Sequence, residues 1–189
     1  MKRSLVKYCL LILSLVIFNV SAAGYKIKKG DVPPDYLGED RQGNKVLVSE
    51  HKGKLVVISF WATWCGPCRR ELPILDQLQD QLSDDILKVV AVNYKESKNA
   101  YKRNRSIKRV FRNSDVTLTN DKEGSIGKSY GVRGIPHLII IGRNGRVVYQ
   151  NRGYGDKTAD KLASIINRLL KRKVKSNQLN QPPPAEPRV

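Results

Sequence analysis

The chain has 189 residues, enough for one domain with a buried core and too few for two full domains. It carries 35 lysines and arginines against 17 acidic residues, a formal net charge of +18. This excess can steer association with an acidic protein or an anionic membrane surface, or it can favour nucleic acid. It is equally consistent with a solvated face that has no dedicated partner. The basic residues concentrate in three segments: Lys95–Arg112, Arg143–Arg152 and Arg168–Lys175.

Residues 1–23 have the pattern of a secretory signal: a basic start, an apolar middle and a small-residue cleavage region. The apolar run is about thirteen residues, shorter than the roughly 20 that a spanning helix needs. We therefore expect cleavage near Ala23 or Gly24 and a periplasmic protein, rather than an N-terminal membrane anchor facing the periplasm. Cys9 leaves with the leader. An exported protein rarely meets nucleic acid, so we expect none as a partner.

Behind the leader, hydrophobic periodicity and turn residues predict alternating strands and helices in a domain spanning 24–171. Strands are predicted at Tyr36–Leu37 with Val46–Val48, Leu55–Phe60, Ile86–Asn93, and Leu138–Ile141 with Arg146–Tyr149, and Val116–Thr119 is either a short strand or a loop. Helices are predicted at Arg69–Leu82, Ser97–Phe111, Ser125–Tyr130 and Asp156–Leu170. This order predicts an α/β sandwich of three layers. The basic and Pro-rich tail, 172–189, is predicted to be disordered.

The most informative motif is Cys65-Gly66-Pro67-Cys68, which lies where a buried strand passes into a helix. Unpaired backbone N–H groups and the positive end of the helix dipole stabilise an anion there, so we expect the Cys65 thiol to ionise more easily than a free thiol. Cys68 lies inside the first turn and is more shielded. The expected chemistry is thiol–disulfide exchange, in which Cys65 attacks a substrate disulfide and Cys68 resolves the mixed disulfide.

Other uses of the cysteine pair stay open on the residues alone. A zinc site needs a second Cys or His pair at suitable spacing, and His51 and His137 are single and far apart in sequence. A purely stabilising disulfide is physically weak, because so short a loop constrains little of the unfolded chain. The pair could hold Cu(I) in a metal chaperone, but no methionine-rich or histidine-rich cluster accompanies it. We expect no metal and no other cofactor.

Several short segments around this motif resemble the TlpA/ResA-like branch of exported thioredoxin-like proteins. They are Gly30–Asp35, Gly53-Lys54, Phe60–Cys68, Glu71–Pro73, Val92-Asn93 with Glu96-Ser97, and Gly131–Pro136. Their order and spacing span about residues 30 to 170 and are together highly specific. The resemblance implies a thioredoxin fold with a central mixed sheet and an N-terminal β-hairpin extension. It also implies a thiol-disulfide oxidoreductase.

The resemblance gives roles to residues outside the motif. Pro136 falls where this fold holds a cis-proline against the active-site disulfide, and the backbone of Ile135 beside it would align a substrate segment as an added strand. Glu96 falls where family members have an acid that influences proton exchange at the cysteines, so it is the expected base for Cys68. The alternative for Glu96 is an exposed, salt-bridged side chain. Ser59 stands where many thioredoxins have a buried Asp.

Four further residues are predicted to contact substrate. Trp64, Gly66 and Pro67 surround the cysteines, and Trp64 would also shield the disulfide. His137 follows the expected cis-proline where the family usually has Thr. A protonated imidazole close to the sulfurs would favour the thiolate, although a His that simply starts a strand is equally consistent with the sequence.

The Gly-Pro dipeptide between the cysteines resembles the reducing members of the fold. The resemblance therefore implies a periplasmic reductant of client disulfides, for instance during cytochrome c maturation, supplied with electrons by a membrane donor. The dipeptide does not fix the direction of electron flow by itself, so an oxidase or isomerase of exported proteins is the alternative.

Overall fold

The computed structural model describes residues 27–179, without the side chains at 101, 102, 106 and 172–179. The strands are β1 (Tyr36–Glu39), β2 (Lys45–Leu47), β3 (Leu55–Trp61), β4 (Leu87–Tyr94), β5 (Thr117–Asp121), β6 (His137–Ile141) and β7 (Val147–Arg152). The α-helices are α1 (Gly66–Gln81), α2 (Lys98–Arg103), α3 (Arg105–Val110), α4 (Ser125–Ser129) and α5 (Thr158–Leu179), and a 3₁₀ turn spans Val48–His51. Residues 1–23, the predicted leader, and the residues beyond 179 lie outside the described residues.

Strand β3 is the centre of a five-stranded mixed sheet with the order β5-β4-β3-β6-β7. It pairs in parallel with β4 and antiparallel with β6, and all seven of its residues are buried. A continuous run of apolar residues is what a strand covered on both faces requires. Because successive side chains alternate between faces, Val57, Ser59 and Trp61 point to one side of the sheet and Ile58 and Phe60 to the other.

The two faces of the sheet carry two separate hydrophobic clusters. On one face, Leu72 and Leu75 of α1 pack with residues of α3 and α5. On the other face, the β1–β2 hairpin, the segment before it and α4 pack around Phe60 and Ile58. These layers are the predicted three-layer sandwich. We call the first the redox face, because Cys65 is the N-cap residue of α1.

The segment before the hairpin is held to β7. Gly30 donates its N–H to Val147 O at 2.8 Å, and Val147 donates its own to Asp31 O at 2.9 Å. The Gln150 side chain donates to Ile27 O at 2.9 Å. Residues 27–31 therefore protect the outer edge of the sheet. Within residues 27–179, no helix is both long and apolar enough to cross a membrane.

Two predicted element boundaries were wrong. The basic helix predicted at Ser97–Phe111 is two short helices, because Asn104 adopts an extended conformation and its side chain accepts the N–H of Ile107 at 3.1 Å, which caps α3. The last helix does not end at Leu170 but continues to Leu179, so the first part of the predicted disordered tail is helical. Lysine, arginine, leucine and glutamine are good helix formers, and no proline or glycine interrupts them there.

Candidate active site

The two cysteines lie at the first turn of α1. Cys65 is the N-cap residue, in an extended conformation, and its Sγ accepts the backbone N–H of Cys68 at 3.2 Å. The pair is joined as a disulfide, with Cys65 buried to 5 % exposure and Cys68 fully buried. A sulfur at this place faces the unpaired N–H groups of the helix start, which stabilise a thiolate when the bond is reduced.

The residues around the sulfurs form an accessible rim. Trp64 is 67 % exposed and Pro67 is exposed, while Gly66 is half-buried. A Cβ built on Gly66 would meet no atom within 4 Å, so the backbone there is open to an incoming chain. The Ile135–Pro136 peptide bond is cis, the geometry that the resemblance implied, with Ile135 half-buried and Pro136 buried.

A buried carboxyl group lies on the redox face below the disulfide. Glu71 follows Cys68 by three residues on α1, so both lie on the inner side of the helix. Glu71 is 1 % exposed, and its Oε2 accepts a 2.6 Å hydrogen bond from the Ser59 hydroxyl. Its Oε1 has no hydrogen-bond partner among the described residues. Desolvation by burial raises the pKa of Glu71 to about 7, against a smaller lowering by the Ser59 hydrogen bond.

Glu96 contacts the loop that precedes the disulfide, and it is half-buried. Its carboxylate accepts the backbone N–H of Thr63 at 3.0 Å, the Thr63 hydroxyl, and the Asn93 side-chain N–H at 2.8 Å. Lys95, at φ +54°, makes the left-handed turn that follows strand β4 and leads the chain into Glu96. Asn120 supports the group by donating to Glu96 O at 2.8 Å. Glu96 therefore ties the end of β4 to the loop that leads into Cys65.

His137 lies on the face of the sheet opposite the redox face. It pairs with Phe60 across β6 and β3, its ring centroid is 6.5 Å from that of Phe60, and its side chain is fully buried. Desolvation by burial, together with the nearby Arg152 cation, lowers the pKa of His137 to about 4 against a smaller raising by Gln150. The structure therefore does not bring the imidazole to the surface where substrate would bind.

Sequence reasoning did not assign Glu71 to the site, although a signal was available. The apolar positions of α1 define an inner stripe, and Glu71 falls within that stripe next to Leu72. A carboxyl group at a core position is rarely found without a partner or a purpose. Gln79 on the same helix is also a buried polar residue, but its hydrogen bonds give it a structural role. It is 3 % exposed, and its Oε1 accepts the N–H of Val89 at 2.7 Å, so it joins α1 to β4.

A disulfide at a helix N-terminus, a cis-proline and a mixed sheet with helices on both faces define a class of protein: a thiol-disulfide oxidoreductase with a thioredoxin fold. Residues 28–166 match the family described as Redoxin. The chain belongs to the Redoxin family, as a TlpA/ResA-like thioredoxin protein.

Individual relatives agree with this assignment. The chain is 33 % identical over 137 residues to the thiol-disulfide oxidoreductase ResA of Bacillus subtilis, covering 72 % of this chain and 74 % of that protein. It is 29 % identical over 165 residues to ResA of Bacillus cereus, covering 85 % of this chain and 92 % of that protein. A crystal structure assigned to a thiol:disulfide interchange protein DsbE from Chlorobium tepidum superposes with a TM-score of 0.67 at 31 % identity, covering 76 % of this chain and 99 % of that one.

Proposed function

We propose that the protein reduces disulfide bonds of exported client proteins in the periplasm. The observation that carries the proposal is the Cys65 sulfur at the N-cap of α1, accepting the Cys68 N–H above a buried carboxyl group. This arrangement supports a reactive thiolate and a proton acceptor for its partner. The periplasmic location rests on the leader pattern at residues 1–23.

In the first step, the Cys65 thiolate attacks one sulfur of a client disulfide. A mixed disulfide forms, the client S–S bond breaks, and one client thiolate leaves. In the second step, the Cys68 thiolate attacks the Cys65 sulfur, which releases the second client thiolate and forms the Cys65–Cys68 disulfide. Two electrons pass from the protein to the client, and the two client thiolates take up protons.

Glu71 is the proposed base that receives the Cys68 proton. With its pKa raised to about 7, a large fraction of this carboxyl group is ionised at neutral pH and can accept a proton, directly or through water. Glu96, which the sequence suggested for this role, already accepts three hydrogen bonds from Thr63 and Asn93. We propose that Glu96 positions the loop before Cys65 and is not the base.

Client binding is proposed at the rim formed by Trp64, Gly66, Pro67 and the backbone of Ile135 next to cis-Pro136. An extended client segment could pair with this backbone as an added strand, while Trp64 offers an exposed aromatic surface. The buried His137 side chain takes no part in this contact, and it acts only as a core residue behind β6.

The proposed direction is reduction, with clients of the cytochrome c maturation type and electrons from a membrane donor. Support comes from the Gly66-Pro67 dipeptide and from the resemblance to the ResA-like branch. The reduction potential tests this direction: we expect a value nearer the about −270 mV of thioredoxin than the about −120 mV of DsbA. A value near the second would make the protein an oxidase.

Trapping of intermediates tests the mechanism. The Cys68→Ser variant retains Cys65 and should accumulate mixed disulfides with a peptide disulfide, while Cys65→Ser should not. Stoichiometric Cu(I) binding by the wild type, with no adduct in Cys68→Ser, would contradict the exchange mechanism.

A further inference from the structure

The helices beside the redox helix carry a concentrated positive charge. Between Ser97 and Ser114 the chain has no Asp or Glu, and it has seven cations: Lys98, Lys102, Arg103, Arg105, Lys108, Arg109 and Arg112. Arg105, Lys108 and Arg109 lie on one side of α3 and are exposed, as are Arg103 and Arg112 at its two ends. We call these five residues the basic face.

The cations of the basic face have no acidic partner within the part of the chain that the structure describes. Ion pairs there join Lys88 to Asp84 and Lys122 to Glu123, both away from α3. By contrast, the apolar residues Ile107 and Phe111 of the same segment are buried in the core at 3 % and 1 % exposure. The backbone of the basic face is thus held in place by buried residues, while its cations have no acidic partner among the described residues.

Residues at or next to both ends of this segment contact the chain just before Cys65. At its start, Glu96 accepts hydrogen bonds from Thr63, two residues before Cys65. At its end, the Phe111 ring lies 6.3 Å from the ring of Trp61, the last residue of β3. The segment that carries the basic face is therefore held, through Glu96 and Phe111, against the chain that leads into Cys65.

The chemistry of the basic face fits carboxylates. Four of its five cations are arginines, whose planar guanidinium groups bind carboxylates through two parallel hydrogen bonds. A membrane surface is the other anionic candidate. However, a helix that lies in a membrane also inserts apolar side chains, and those of α3 are committed to the core.

We propose that the basic face selects clients with an acidic segment beside the reacting disulfide. This inference rests on the proposed reductase function and adds a substrate preference to it. The acidic segment would raise the rate of encounter and hold the client disulfide near Cys65, and salt would weaken the effect.

The test compares two synthetic peptides with the same disulfide, one flanked by four glutamates and the other by four glutamines. The reduced protein should reduce the glutamate peptide about tenfold faster at low salt, and the preference should disappear at high salt. The variant R105Q/K108Q/R109Q should lose the preference but reduce the glutamine peptide at the wild-type rate. The control variant K29Q/K45Q/K52Q removes three exposed lysines from the hairpin side, and it should retain the preference.

Three results would overturn the proposal: a preference that survives in R105Q/K108Q/R109Q, an equal loss in both triple variants, or no preference in the wild type. Loss of binding to vesicles containing anionic phospholipid in R105Q/K108Q/R109Q, with the peptide preference intact, would assign the basic face to lipid instead. If the protein reduces neither peptide, the result would count against the reductase function. In that case, binding of the glutamate peptide with its cysteines replaced by serines still tests the basic face, since wild type should bind it more tightly than R105Q/K108Q/R109Q.

Discussion

Two carboxyl groups lie on, or in contact with, the segments that carry the disulfide, and they differ in burial and in hydrogen bonding. Glu71 lies one turn after Cys68 on the inner side of α1, fully buried, with one hydrogen bond from Ser59 and one oxygen that has no hydrogen-bond partner among the described residues. Glu96 contacts the loop before Cys65 and is half-buried, with both oxygens accepting hydrogen bonds from Thr63 or Asn93. The first group can gain and lose a proton near neutral pH, while the second holds a loop in place.

Both residues fall in segments that match the family, so it is burial and hydrogen bonding, rather than position in the sequence, that separate their proposed roles. Saturated hydrogen bonding stabilises a carboxylate as a structural anchor, whereas dehydration makes a carboxyl group responsive to a nearby proton. The two residues can be separated by experiments that measure stability and kinetics in matched variants.

The largest expected effect is on stability and comes from Glu71. Its pKa is about 7 in the folded protein against 4.5 for the free group, so the folded state loses stability as the pH rises through this interval. In Glu71→Gln this loss should be absent. Between pH 4.5 and pH 8 the wild type should lose about 3 kcal/mol relative to the variant, measured by urea denaturation of the oxidised proteins. A difference that stays constant with pH would show that Glu71 does not titrate in this range.

His137, on the opposite face of the sheet, should make the stability of the protein depend on pH in the opposite direction. Its pKa is lowered to about 4 from 6.5, so the unfolded chain takes up a proton before the folded protein does, and stability falls as the pH drops below 6.5. From pH 7 to pH 5 the wild type should lose about 2 kcal/mol relative to His137→Leu. The same denaturation series measures this, and equal acid sensitivity in both proteins would contradict it.

Glu96 should behave as a structural residue. Glu96→Gln removes the negative charge and turns one acceptor oxygen into an N–H donor, so the hydrogen bonds with Thr63 and Asn93 become weaker neutral ones. This should lower the free energy of unfolding by about 1.5 kcal/mol at every pH between 5 and 8. Thr63→Ser retains the hydroxyl donor and serves as the matched control with little change. A loss in Glu96→Gln that appears only at high pH would contradict a purely structural role.

The smallest expected effect concerns the hydrogen bond beneath the disulfide. Ser59→Ala removes the donor that lowers the pKa of Glu71, so this pKa should rise further. A hydrogen bond of about 1 kcal/mol corresponds to a rise of roughly 0.7 pH units. The carboxyl carbon chemical shift of Glu71 in an NMR titration measures this directly, and an unchanged or lower midpoint would contradict the assigned contact.

Most of the fold could be predicted from the sequence, because its signals are local. The apolar run of β3 and the Gly43-Asn44 turn indicate their elements without reference to the rest of the chain. The break at Asn104 was missed because a capping asparagine inside a basic helical pattern competes with continuous helix over only a few residues. Whether the Asn104 cap breaks the helix depends on how Ile107 and Phe111 pack in the core, which the local sequence does not specify.

The site was predictable where chemistry depends on sequence spacing and not where it depends on burial. Cys65 and Cys68 are defined by spacing, whereas the role of Glu71 depends on how tightly α1 packs over Ser59. His137 shows the same limit, because its position in the sequence suggested a role in the site that its burial does not support. The sequence places it next to Pro136, but the alternation of side chains along β6 turns it away from the redox face.

The most direct test of the account is the rate at which Cys68 resolves a mixed disulfide on Cys65, measured by single-turnover kinetics across roughly pH 5 to 9. In the wild type the rate should rise through an inflection near the Glu71 pKa of about 7. Glu71→Gln should lose this inflection and be about 100-fold slower at pH 8, while Glu96→Gln should retain it. An inflection that persists in Glu71→Gln and disappears in Glu96→Gln would contradict the account.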